Sequence, residues 1–152
     1  MDLRSQLNEK AQAGSDGVFR FETPVRWGDL DKLNHVNNTV YFRYMEDARM
    51  GFAHACGMGV EGSGRDFVLA NVSCDFLHPI FWPATVVVDT RLIKVGRTSI
   101  QCEVEISVKG QDACCARARN VIVGVDTDSG RPKPWSDAEL EAFLRVFSLI
   151  GE

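Results

Sequence analysis

Two carboxylates and a run of amides stand close together near the front of the chain, in Asp29-Leu-Asp31 and then His35-Val-Asn-Asn-Thr39. A carboxylate can attack an electrophilic carbon or take a proton from water. Asn37, Asn38 or Thr39 can cap a helix through a side-chain oxygen. The first N–H groups of that helix have no intrahelical acceptor, so they suit a developing oxyanion. An acid held against a helix start is an apparatus for attacking a polarised carbonyl. Asp31 lies seven residues before Asn38, too far for a local cap, so folding must bring it there. Asp29 reads as loop support that accepts backbone amides in an Asx-type turn. His35 can act as a base, but no serine or cysteine nucleophile pattern accompanies it, and it reads as a hydrogen-bonded loop residue. His35, His54 and His78 share no ligand spacing, so no metal is expected.

The elements around this stretch follow from periodicity. Between Val18 and Trp27, apolar Phe19, Phe21, Val25 and Trp27 alternate with Arg20, Glu22 and Arg26, which predicts a half-buried strand. Tyr41, Tyr44, Met45, Ala48, Phe52 and Ala55 recur at helical spacing, which predicts a helix from about Thr39 to Ala55. Gly51 weakens it by roughly 1 kcal/mol, and marks a place where a strand crosses closely. Residues 57–64 are glycine-rich and read as a flexible connection. Four strands follow, over 66–78, 85–95, 98–108 and 113–125. The first alternates Val68, Ala70, Val72, Cys74 and Phe76 against Asn71, Ser73 and Asp75. Short Gly96 and Gly110 connections make this part antiparallel. Ser136 and Glu139 form a capping box ahead of a stripe at Leu140, Phe143, Leu144 and Phe147. The order gives an α+β domain in which a sheet covers one long helix.

At 152 residues the chain reads as a loose N-terminal segment, 1–15, and a single domain, 16–152. Its net charge of -4, without a basic run, excludes an electrostatic footprint for nucleic acid. No run resembles a signal peptide or spans a bilayer, so no membrane association is expected. Five cysteines without metal-ligand spacing read as free thiols in a reducing cytoplasm.

Arg26-Trp-Gly-Asp-Leu-Asp31, followed by Asn34-His-Val-Asn-Asn38, Tyr41, Tyr44, Glu46 and Ala48-Arg49, resembles the hotdog-fold acyl-CoA thioesterases of the 4-hydroxybenzoyl-CoA type. The resemblance implies a long central helix wrapped by a curved, five-stranded antiparallel sheet, followed by a short C-terminal helix. It implies hydrolysis of an acyl-CoA or acyl-carrier thioester with Asp31 as nucleophile or general base. The backbone amide at Asn38 would polarise the carbonyl. Trp27, His35 and Tyr41 become candidate substrate contacts, as does Arg97, at the position of a basic residue near the CoA phosphates. Some hotdog enzymes use a helical acid, which makes Glu46 the reserve catalyst; it is also spaced for an ion pair with Arg49. Coenzyme A enters only as part of the substrate, with no other cofactor. Self-association as a dimer or tetramer is implied. Many relatives carry glycine where this chain has Asn34. Two further readings stand beside hydrolysis: a hotdog hydratase or dehydratase using a histidine and a helical acid, and a non-catalytic acyl-CoA binding protein.

Overall fold

An apolar helical stripe at Tyr41, Tyr44, Met45, Ala48 and Phe52 is buried only if another layer wraps it. In the computed structural model, which describes residues 2–12 and 17–147, a five-stranded antiparallel sheet does so. The elements are α1 (Leu3–Gln12), β1 (Phe19–Pro24), α2 (Asn38–Ala55), β2 (Arg65–Phe76), β3 (Thr85–Val95), β4 (Ser99–Val108), β5 (Cys114–Asp126) and α3 (Asp137–Val146). The strand order is β1-β3-β4-β5-β2. The strands on either side of α2 in the sequence therefore become the two sheet edges. This is the hotdog architecture. Among the described residues, no helix is long and apolar enough to cross a membrane.

The core forms two clusters along α2. Toward the helix start, Val86, Val88, Val104, Ile106 and Ala118 pack with Tyr41, Tyr44, Met45 and Ala48. Toward its end, Phe52 packs with Leu92, Ile100 and Ile122, and with Phe143 and Phe147 of the C-terminal segment. Ala53 is buried in place of Ala55, which is exposed. A Cβ at Gly51 would lie 3.3 Å from the Phe19 ring, so β1 does cross α2 there. The outer sheet face carries cross-strand ion pairs: Arg20 with Asp89, Arg117 with Glu105, and Arg119 with Glu103.

Three local expectations are corrected. The N-terminal segment is not loose over residues 3–12. It forms α1, with Leu7 fully buried, and Asn8 both donates to the Val95 carbonyl (2.9 Å) and accepts from the Val95 N–H (2.7 Å). Residues 1 and 13–15 lie outside the described residues. The alternation in β2 breaks at a register shift between Leu69 and Asn71. This bulge sends Phe67, rather than Val68, inward with Val72 and Cys74. Trp27 is not on the buried face of β1; it lies beyond the strand, 70% exposed. The glycine-rich connection is a series of turns in which Gly57, Gly59, Gly62 and Gly64 all take positive φ.

Candidate active site

After β1, Trp27–Asp29 makes one 3-10 turn. Asp29 Oδ2 accepts from the Arg26 N–H and from the Tyr44 hydroxyl, each at 2.8 Å. The Asp29 carbonyl accepts from the Asn37 N–H at 2.9 Å. Asp29 thus ties strand end, helix and cap together, the supporting role its turn chemistry implies. Burial first, and then the bond to Asp29, raise the Tyr44 hydroxyl well above the usual phenol range.

Asp31 is held differently. Its Oδ1 accepts from the Leu33 N–H (2.9 Å) and the His35 N–H (3.2 Å). No donor among the described residues reaches Oδ2. The chain reverses through Asn34, whose φ of 62° lies in the left-handed region that favours glycine. Asparagine is one of the few other residues to visit that region routinely, so the departure from glycine keeps the backbone path. The loop is then pinned by the Val36 N–H donating to Ile80 (2.9 Å) and by a bridge between His35 and Phe81. The two rings of that bridge meet edge to face at 5.0 Å.

The helix start leaves the first donor of α2 open. Asn37 is the N-cap: its Oδ1 accepts from the Thr39 N–H at 3.0 Å, and its carbonyl accepts from the Val40 N–H at 2.9 Å. The Asn38 N–H has no acceptor among the described residues.

Asp31, His35, Val36, Asn38 and Tyr41 line one side of a cleft of about 200 Å³. Phe76, Leu77, His78 and Pro79 line the other. Burial pushes the Tyr41 hydroxyl up to about 12, so it stays protonated near neutrality. Asp31 also borders a second cleft, of about 560 Å³, with Trp27, Lys32 and Trp82. The Trp27 and Trp82 rings lie edge to face at 5.1 Å. An exposed tryptophan pair beside a free carboxylate is the kind of apolar patch that marks a binding surface.

Asp31, Asn38, His35 and Tyr41 therefore share one cleft, and Trp27 adjoins it across Asp31. Two candidates fall elsewhere. Glu46 borders a separate groove with Gly28, Asp29 and Phe42, and makes no ion pair with Arg49. Arg97 lies in the β3–β4 turn, a strand's length from the end where Thr85 pairs with Pro24. There it lines a cleft with Leu3, Trp135 and Leu140, so within one subunit it does not meet Asp31. His78 is the residue that sequence reasoning missed. In the sequence it figures only as a histidine without metal-ligand spacing, and no local pattern signals that its wall will face Asp31.

Fold and cleft together define a thioester hydrolase of the hotdog class. The chain belongs to the thioesterase-like superfamily, whose family model matches residues 25–143. It is 30% identical to the putative thioesterase PA2801 of Pseudomonas aeruginosa, with a TM-score of 0.76, covering 83% of this chain and 98% of that one. It is 32% identical to a Thermus thermophilus thioesterase solved with coenzyme A and zinc, with a TM-score of 0.74 and coverage of 88% and 98%. It is also 26% identical over 129 residues to the uncharacterized protein YsmA of Bacillus subtilis, spanning 84% of this chain and 86% of that protein.

Proposed function

We propose that the protein hydrolyses an acyl-CoA thioester to a free acid and CoA, with Asp31 and the Asn38 N–H as the reacting pair. One observation carries the reading: a carboxylate with one oxygen tied and the other free shares a cleft with an unpaired helix-start amide. The carbonyl oxygen accepts from the Asn38 N–H, which stabilises the charge that develops on it. Asp31 Oδ2 then either attacks the carbonyl carbon, giving a mixed anhydride, or takes a proton from an attacking water. Tyr41 and His35 border the reacting carbon, and Trp27 with Trp82 offers an apolar surface to one limb of the substrate. The reaction as written needs no group beyond water. Coenzyme A bound to the Thermus thermophilus relative supports CoA as the thiol half. The free cysteines suit a reducing compartment such as the cytoplasm.

The test is thiol release from a panel of acyl-CoAs by the wild type and by Asp31→Asn. The expected result is turnover by the wild type and a loss of several orders of magnitude in the variant. Equal rates remove Asp31 from the mechanism, and tight binding without any turnover makes the protein an acyl-CoA binder. A hydratase would need a histidine and a helical acid in one site; neither acid of α2, Glu46 or Asp47, lines the cleft of His35 and His78.

The working unit in this reading is a dimer joined along β2. That strand is a long sheet edge with Val68, Leu69 and Phe76 exposed and Leu77 exposed just beyond it, an arrangement prone to pairing with another chain. The ion-paired outer face argues against stacking a second sheet there, and so against a face-packed tetramer.

A further inference from the structure

Of the groups in the Asp31 cleft, His78 is the one that the proposed reaction leaves without a task. Its backbone position is well fixed. The Cys115 carbonyl accepts from both the Leu77 N–H (2.8 Å) and the His78 N–H (3.1 Å), fastening the segment to β5. On the other side, Ile80 and Phe81 are bonded to Val36 and His35 of the loop. An exposed imidazole is thus presented into the cleft on a segment anchored at both ends.

A thioester carbon under attack has three directions to serve: the attacking oxygen, the oxyanion and the departing sulfur. Asp31 and the Asn38 N–H occupy the first two, and both come from the loop and helix wall. The third direction leads to the opposite wall, where His78 is the side chain of a type that serves as a general acid. His35 is placed worse for this task, because it shares the wall with Asp31 and its ring lies against Phe81.

We propose that His78 is the general acid of the reaction, an inference that rests on the thioesterase reading and deepens it. As the C–S bond breaks, its electron pair goes to sulfur, and the imidazolium of His78 gives sulfur a proton, so the product leaves as thiol. In the general-base route, Asp31 takes a proton from the attacking water as the C–O bond forms. That proton passes to the neutral imidazole and restores both groups. The carboxylic acid product releases its own proton to solvent. A balanced cycle therefore consumes one water and leaves Asp31 and His78 as they began.

The experiment compares two leaving groups attached to one acyl group: the acyl-CoA that the wild type cleaves fastest, and the S-phenyl thioester of the same acid. An aryl thiolate departs without help, whereas an alkyl thiolate gains from protonation. His78→Gln keeps a polar side chain of similar reach but cannot transfer the proton. The expected result is a loss in kcat on the order of 10²-fold with the acyl-CoA, and little change with the S-phenyl ester. His35→Gln serves as the comparison and is expected to slow both esters to a similar degree or not at all. An equal loss on both esters in His78→Gln, or no loss on either, overturns the proposal and leaves the hydrolase reading intact. A wild type that cleaves neither ester removes both.

Discussion

The Tyr44 hydroxyl donates to Asp29 Oδ2 at 2.8 Å, and through that bond the buried stripe of α2 holds the loop that carries Asp31. The two acids of the Asp-Leu-Asp turn thus divide their work. Asp29 spends its side chain on the Arg26 amide and Tyr44, whereas Asp31 keeps Oδ2 open. Tyr44→Phe leaves the carboxylate short of one donor in a half-buried site. The expected cost is about 1.5–3 kcal/mol of stability, the range for a hydrogen bond to a charged group. A shifted denaturant midpoint with an unchanged slope will show it. An unchanged midpoint would mean that the bond contributes nothing net.

At the other end of the molecule, Arg65 is almost fully buried and joins the sheet to the C-terminal helix. Its guanidinium donates to both Glu139 carboxylate oxygens (2.8 and 2.7 Å) and to the Lys133 and Pro134 carbonyls, and it stacks 4.6 Å from the Trp135 ring centre. Gly124 leaves room for that ring, since a Cβ there would run into Trp135. Burial works against ionising Glu139, but hydrogen bonds from Arg65 and the Ser136 amide outweigh it and hold the carboxyl below its usual value. A depressed folded-state pKa adds stability that is fully present above the unfolded value of 4.5 and is lost as pH falls through the folded one. Wild-type stability should therefore drop below about pH 4.5, a loss to which Glu139 contributes. Arg65→Met should cost about 3–5 kcal/mol near neutrality, by stranding Glu139, and should flatten that part of the acid dependence. Denaturant titrations at pH 7 and at pH 4 check both; parallel curves for the two proteins would rule the linkage out.

Much of this frame was legible because long elements repeat their signal. The stripe on α2 and the alternation of β4 each recur many times, and both fold as their periods require. The failures came where one or two residues decide. In α1, Leu7 and Asn8 hold a mostly polar helix, too few to register as a pattern. In β2, a single bulged residue reverses which side chains face the core, and no repeat announces it. The loop that carries Asp31 was readable because its residues are sequence neighbours. Its opposite wall was not, because His78 comes to the cleft of Asp31 through long-range bonds, from its own N–H to Cys115 of β5 and from its neighbours Ile80 and Phe81 to Val36 and His35.

The β2 edge gives a direct test of assembly. Leu69→Lys places a charge on the exposed centre of that strand, a device that blocks edge pairing. The expected outcome is a dimeric mass for the wild type in sedimentation at micromolar concentration and a monomeric mass for the variant. A wild-type monomer would remove the dimer outright. A variant that remains dimeric would move the interface away from β2.

The role given to the Asn38 N–H can be isolated with a single substitution. Asn38 is the first residue of α2, the position where proline is tolerated because its missing N–H has no helical partner. The preceding residue must then be extended, and Asn37 already is, with φ -62° and ψ 140°. Asn38→Pro therefore deletes that donor while the cap bonds to Thr39 and Val40 remain possible. Loss of such a donor is worth about 2.7–4 kcal/mol in the transition state, or roughly 10²–10³ in kcat. Asn38→Ala keeps the N–H and should stay within a few fold of the wild type. Measured together with melting curves, the pair separates backbone from side chain. If Asn38→Ala falls as far as Asn38→Pro, the side chain is the working part, and the amide loses its assignment.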